Sequence, residues 1–160
     1  MSKTEVAAVE PKSLAKGLVA GLIAGLVGVA AKTLAERMFP PHAHSQPDAE
    51  DLAAEKLAGD SLSPAGKALA ADGIHWAFGA AAGAAYGALA EYYPAASSRG
   101  GATFGLTLMT LTHETALPAL GLEAPLNEQT PREHASEAAT HVIYGVVAER
   151  VRRLVRGMLE

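Results

Sequence analysis

The chain has 160 residues, the size of one domain, with 49% hydrophobic residues, few aromatics and no cysteine. The lack of cysteine excludes disulfides and thiolate metal ligands, and a net charge of −4 without a basic, aromatic-rich patch speaks against a nucleic-acid partner. A mean hydropathy of +0.14 is low for a membrane protein, but it averages polar stretches at 1–13, 40–66 and 122–132 with strongly apolar ones.

Residues 1–12 mix Glu5, Glu10 and Pro11 with lysines. They read as a disordered cytoplasmic tail and not as a cleaved signal, because the apolar run behind them continues as a helix. The first helix is predicted over 13–38, uncharged from Gly17 to Ala31 and edged by Lys16 and Lys32. That core falls short of the roughly 20 residues a span needs, and edge lysines extend it by snorkelling to the interface. Pro40 and Pro41 stop it, and a polar loop follows to about Leu62, with a short amphipathic turn through Asp51–Ala58.

The second helix is predicted over 64–93, with Ser63 as N-cap, Pro64 at its first position and Pro94 beyond its end. The third covers 100–120 and is kinked or ended by Pro118. The fourth covers 131–158, opened by a capping box of Thr130 and Glu133 around Pro131. It is the least apolar of the four. Short connections and antiparallel order still favour a closed bundle, so residues 13–158 are expected to form one all-α, polytopic four-helix membrane domain.

Glycines at four-residue spacing support that expectation. Gly17, Gly21 and Gly25 line one face of the first helix, and Gly79, Gly83 and Gly87 one face of the second. Such ladders let helix backbones approach closely, either within one chain or between copies in a homo-oligomer. Lysine and arginine are denser on the side holding the N-terminus, Arg99 and the Arg150–Arg156 run than on the side of Lys32, Arg37, Lys56, Lys67 and Arg132. By the positive-inside rule both termini are expected on the cytoplasmic side.

Ionisable residues inside such a bundle are costly and mark function. At 1.5 Å rise per residue, His75, His113, Glu137 and His141 lie roughly 9–17 Å in from the outer helix ends, and Lys32 and Glu36 approach the same end. His134, Glu137 and His141 share a face through spacings of three and four. Imidazole and carboxylate suit zinc, manganese or iron, so His75, His113, Glu137 and His141 are sterically conceivable as a transition-metal set. Pairs of His75, His113 and His141 offer axial ligands for haem. The plainer readings are hydrogen-bonded histidine struts between helices and an ordinary Lys32–Glu36 ion pair. His113 and Glu114 are adjacent and point to different faces, and His42 and His44 fall in a loop. The stretch between His141 and Glu149 is too apolar for a complete proton relay. There is no Gly-x-Ser-x-Gly, phosphate loop or His-Glu-x-x-His, so catalysis is not expected.

In order along the chain, Ala35-Glu36 before Pro40-Pro41, His75, Ala90-Glu91 before Pro94, His113, Pro118-Ala119-Leu120-Gly121-Leu122, Ser136-Glu137, His141, and Glu149 before Arg152-Arg153 form a distinctive set. From about Leu18 to Arg153 the chain resembles the YagU-like family of small bacterial inner-membrane proteins of unknown function. The resemblance implies a multi-span, self-associating protein with Glu36, His75, His113, Glu137 and His141 as the family's polar positions. The loop after the first helix is shorter here, and aromatics are nearly lost. The expected function is a structural or accessory membrane module with an outward-opening His/Glu layer, in contact with lipid and with its own copies or a membrane protein partner. The alternative is a metal- or haem-binding membrane protein.

Overall fold

The computed structural model describes residues 12–41 and 47–159. All but Lys12 of the expected N-terminal tail lies outside the described residues, as do His42 and His44. The described elements are helical: α1 (Leu14–Met38), α2 (Ala49–Ala58), α3 (Pro64–Tyr92), α4 (Ala102–Leu111), the single turn α5 (Leu117–Ala119) and α6 (Pro131–Met158). The helix starts follow from local chemistry. Ser13 and Ser63 accept hydrogen bonds from the backbone N–H groups of Lys16 and Gly66. Thr130 and Glu133 form the reciprocal capping box, satisfying two N–H groups that helix geometry leaves without partners.

Two segments differ from the sequence reading. The polar loop after α1 contains a full ten-residue helix, α2, which packs on α3. Ahead of α4, residues Arg99, Gly100 and Gly101 all have positive φ, at 52°, 64° and 93°, so the helix begins at Ala102 and not at Gly100. Gly101 is required twice over: by its φ and by contact, since a methyl there would lie 2.1 Å from the Gly145 carbonyl oxygen. The chain after α4 widens into a π-helical turn, Thr112–Ala116, before the one turn of α5 that contains Pro118.

The packing order comes from which helices have small faces. Buried positions on α1 are Gly17, Ala20, Gly21, Ala24, Gly25, Gly28, Val29, Lys32 and Ala35, while Leu18, Val19, Leu22, Ile23, Leu26 and Val27 face outward. Large apolar residues thus point away from the helix contacts and small ones toward them. The buried stripe meets α3 and α6, and α6 in turn meets α4. At the α1–α3 contact, a methyl on Gly21 would sit 2.2 Å from the Gly83 carbonyl oxygen, and one on Gly87 2.2 Å from that of Gly17. The two glycine rows therefore meet within one chain. A second glycine contact, not anticipated, joins α4 to α6: a methyl on Gly105 would lie 2.0 Å from the His141 carbonyl oxygen.

Four spans were expected from the sequence. Among the described helices, α1 is the one long and apolar enough to cross a membrane by length and composition. The apolar part of α3 is mostly alanine and glycine, which carry little hydropathy. The third segment is interrupted by its π turn, and α6 carries many charges.

Alanine at Gly83 would place its methyl 2.4 Å from the Gly25 Cα, so Gly83→Ala is expected to destabilise the protein by about 1–3 kcal/mol. Gly73, on the same helix, has nothing within 4 Å of the added carbon. Gly73→Ala should therefore stabilise by about 0.5–1 kcal/mol through helix propensity alone. Thermal unfolding followed by circular dichroism distinguishes the two.

Candidate functional site: a histidine–carboxylate layer

At one end of the helices, side chains from α1, α2, α3, α6 and the π turn converge. Glu137 and His141 lie one helical turn apart on α6, and both are buried. Glu137 Oε2 is 3.2 Å from His141 Nδ1, 3.8 Å from His113 Nε2 and 4.0 Å from Lys32 Nζ. His113 is carried by the π turn, a local widening that often accompanies functional sites. Its ring meets that of His141 edge-on, with centroids 4.9 Å apart.

On the far side of the His113 ring, Glu123 Oε2 accepts from Nδ1 at 2.8 Å. An ionised carboxylate can only accept, so this bond places a proton on Nδ1, and the other ring nitrogen, Nε2, faces Glu137. The main-chain carbonyl of Glu137 accepts from His141 Nδ1 at 2.9 Å. His113, Glu137 and His141 each offer one ligand atom, all within 4.8 Å of one another.

His75 occupies a neighbouring position. Its Nδ1 donates to Glu50 Oε1 at 2.5 Å and its Nε2 shares a hydrogen bond with Thr33 Oγ1 at 3.2 Å. Both ring nitrogens are therefore engaged. Lys32 donates to Glu36, its neighbour one turn on. His134, which shares the sequence spacing of Glu137 and His141, turns away to Glu114 at 3.2 Å.

Two cavities border the layer. The smaller, about 50 Å³, is lined by Lys32, Glu50, His75, His113, His141 and Tyr144 among others. It touches all three central histidines but is too small for a porphyrin, and the His113 and His141 rings contact each other directly, leaving no slot for one between them. The larger, about 620 Å³, opens outward past Glu36, Glu50, Asp72, His75 and Trp76, and reaches His113 and Glu137.

The opposite end of the molecule is closed by a second polar network. Glu149, 1% exposed, accepts from Tyr86 Oη at 2.6 Å and from Arg152 Nε at 2.7 Å, and Arg153 also reaches it. Glu91 takes a fork of bonds from Arg156 at 2.9–3.1 Å and caps the backbone N–H of Ser13 at 2.8 Å. These bonds tie α1, α3 and α6 together. Between the two ends, Tyr144 Oη donates to the Gly79 carbonyl at 2.7 Å, and its ring sits where a methyl on Gly28 would be 2.9 Å away.

Sequence reasoning missed Glu50 and Glu123 in the layer. Glu50 arrives on a helix read as loop, and Glu123 comes from a connection with no periodicity to betray its direction. Nor does the sequence pattern show that Tyr86 and Arg152 make Glu149 a buried junction.

The geometry defines an all-helical protein, close-packed through glycine, with a buried histidine–carboxylate cluster beside an outward-opening cavity. A family model described as "Protein of unknown function (DUF1440)" matches residues 22–150, and the chain belongs to that family. No curated protein and no solved structure matches it.

Glu50 lies on α2, outside the long helices. Burial pushes its carboxyl up, but the hydrogen bond from His75, a backbone hydrogen bond and the charges of His75 and Lys32 outweigh that and hold it down at about 2. A carboxyl depressed from 4.5 stabilises the fold above the unfolded value and loses that contribution as pH falls toward the folded one. The attachment of α2 to α3 should therefore weaken between about pH 4.5 and 2. Glu50→Gln should lower stability at pH 7 and flatten this dependence. Trp76, the chain's single tryptophan, lines the same cavity and supplies the fluorescence readout.

Proposed function

We propose that this protein is an integral membrane protein of the bacterial inner membrane, a four-helix structural or accessory module and not an enzyme. The observation that carries the reading is the inverted side-chain distribution of α1: glycine and alanine inward, leucine, valine and isoleucine outward. In water this would expose a continuous apolar strip that soluble monomers rarely tolerate. In lipid the same strip is solvated by acyl chains, and small inward faces are how membrane helices associate. Outward Phe78, Leu89, Leu106 and Leu111 on α3 and α4 extend the apolar surface, and α1 itself has the length and composition of a span.

In this reading α3, the α4–α5 segment and α6 cross the bilayer alongside α1, held by glycine contacts more than by their own hydropathy. Both termini lie in the cytoplasm, where Arg150, Arg152, Arg153 and Arg156 meet anionic lipid. The histidine–carboxylate layer opens to the other side. Because the glycine rows are consumed within one chain, self-association uses the leucine-rich outer face of α1. The YagU-like resemblance of the ordered motifs supports the same placement.

Alkaline carbonate treatment should leave the protein in the membrane pellet; release without detergent overturns the membrane reading. With no native cysteine to interfere, a Met158→Cys variant in intact cells should resist an impermeant thiol reagent and react only after permeabilisation.

A further inference from the structure

We propose that His113, Glu137 and His141 form a binding site for one divalent transition-metal ion of the zinc class, reached through the larger cavity and oriented by Glu123. The first support is geometric. Two imidazoles and a carboxylate, from the π turn and from successive turns of α6, bring their donor atoms within 4.8 Å of one another. Two histidines and one glutamate are a recurrent three-ligand set for zinc, with a further coordination position left for water or another ligand.

The second support is the set of partners behind the ligands. Metal-bound histidines characteristically pass their other ring N–H to a carboxylate or a backbone carbonyl, which fixes the tautomer and raises the basicity of the ligand nitrogen. Glu123 does this for His113 at 2.8 Å, while His141 Nδ1 lies 2.9 Å from the Glu137 carbonyl and 3.2 Å from the Glu137 carboxylate. Beside His75, by contrast, both ring nitrogens are spoken for, which sets that residue outside the ligand set.

Charge and access agree. Around the larger cavity Lys32 and Arg37 stand against Glu36, Asp48, Glu50, Asp51, Asp72 and Glu137. With neutral histidines, this excess of carboxylate favours entry of a cation. The smaller cavity, about 50 Å³, is lined by His113 and His141, and the larger by His113 and Glu137, so each ligand borders open space of a size that admits an ion or a water molecule. Lys32 is committed to Glu36 and lies 4.0 Å from Glu137 Oε2. It stands beside the ligand set, where its positive charge weakens the ion's hold. The site is built from contacts among the helices and does not depend on which solvent surrounds them.

The test is zinc stoichiometry by elemental analysis after equilibrium dialysis, with cobalt(II) substitution to read the ligand field by absorption. It is made on purified protein from whichever fraction, membrane or soluble, contains it, so failure of the membrane reading leaves this result legible. One equivalent of zinc is expected, together with cobalt bands that vanish in Glu137→Gln and in His113→Ala/His141→Ala. His42→Ala/His44→Ala should bind as the unaltered protein does. Glu123→Gln, which retains all three ligands, should weaken zinc binding by roughly 10–100-fold, and Lys32→Met should tighten it. Helical circular dichroism establishes that each variant is folded. Zinc well below one equivalent in the unaltered protein, or full binding retained by folded Glu137→Gln and His113→Ala/His141→Ala variants, overturns the proposal.

Discussion

The contact on which the rest of the structure depends is the backbone-to-backbone approach of α1 and α3. At Gly21 and Gly83 there is no room for a single methyl group, because the carbonyl of the facing helix occupies that space. Close approach lets α1 use its whole buried stripe, meeting α3 through Gly17, Gly21 and Gly25 and α6 through Gly28, against which Tyr144 lies. It also leaves the large side chains of α1 nowhere to go but outward. The apolar exterior and the tight interior are therefore two consequences of one constraint.

The same constraint explains the position of the polar layer. Continuing the small stripe by one more turn of α1 leads to Lys32, at the point where the glycines end and the helices carry larger, ionisable residues. Lys32, Glu36, Glu137 and His141 are thus held at the end of a rigid seam. On the other side, Gly105 and Gly145 bring α4 close enough to α6 for His113 to reach Glu137. A buried cluster of this kind is expensive unless its members satisfy one another, and here nearly every charge has a named counterpart. At the opposite end Glu149 and Glu91 gather arginines and a tyrosine in the same manner. The molecule is consequently clamped at both ends by polar networks and joined between them by small-residue packing.

The cavity differs in character from both clamps. It is bordered by α2, a short helix rich in charged residues, whose attachment relies on Glu50 and His75 and on Lys67 pairing with Glu55. Since α2 packs chiefly on α3, it can loosen without opening the glycine seam. Access to the histidines is thereby separated from the stability of the core.

The helices and most of their limits were legible in the sequence, because caps and prolines act locally: Ser63-Pro64 and Thr130-Pro131 announce their helix starts regardless of what packs nearby. The glycine rows were legible for the same reason, since a spacing of four defines a face before any partner is known. The grouping of His113, Glu137 and His141 was half legible: spacing joins Glu137 to His141, but only the fold says that His113 meets them and that His75 pairs with Glu50 instead. Glu123, α2 and the Gly101–Gly105 contact with α6 were decided by tertiary structure alone. Their roles depend on where a connection returns and on which backbone passes within a methyl's width, and neither is encoded in a local pattern. By itself the sequence determined the helices and their small faces; the fold decided which face met which, and hence which ionisable groups share one site.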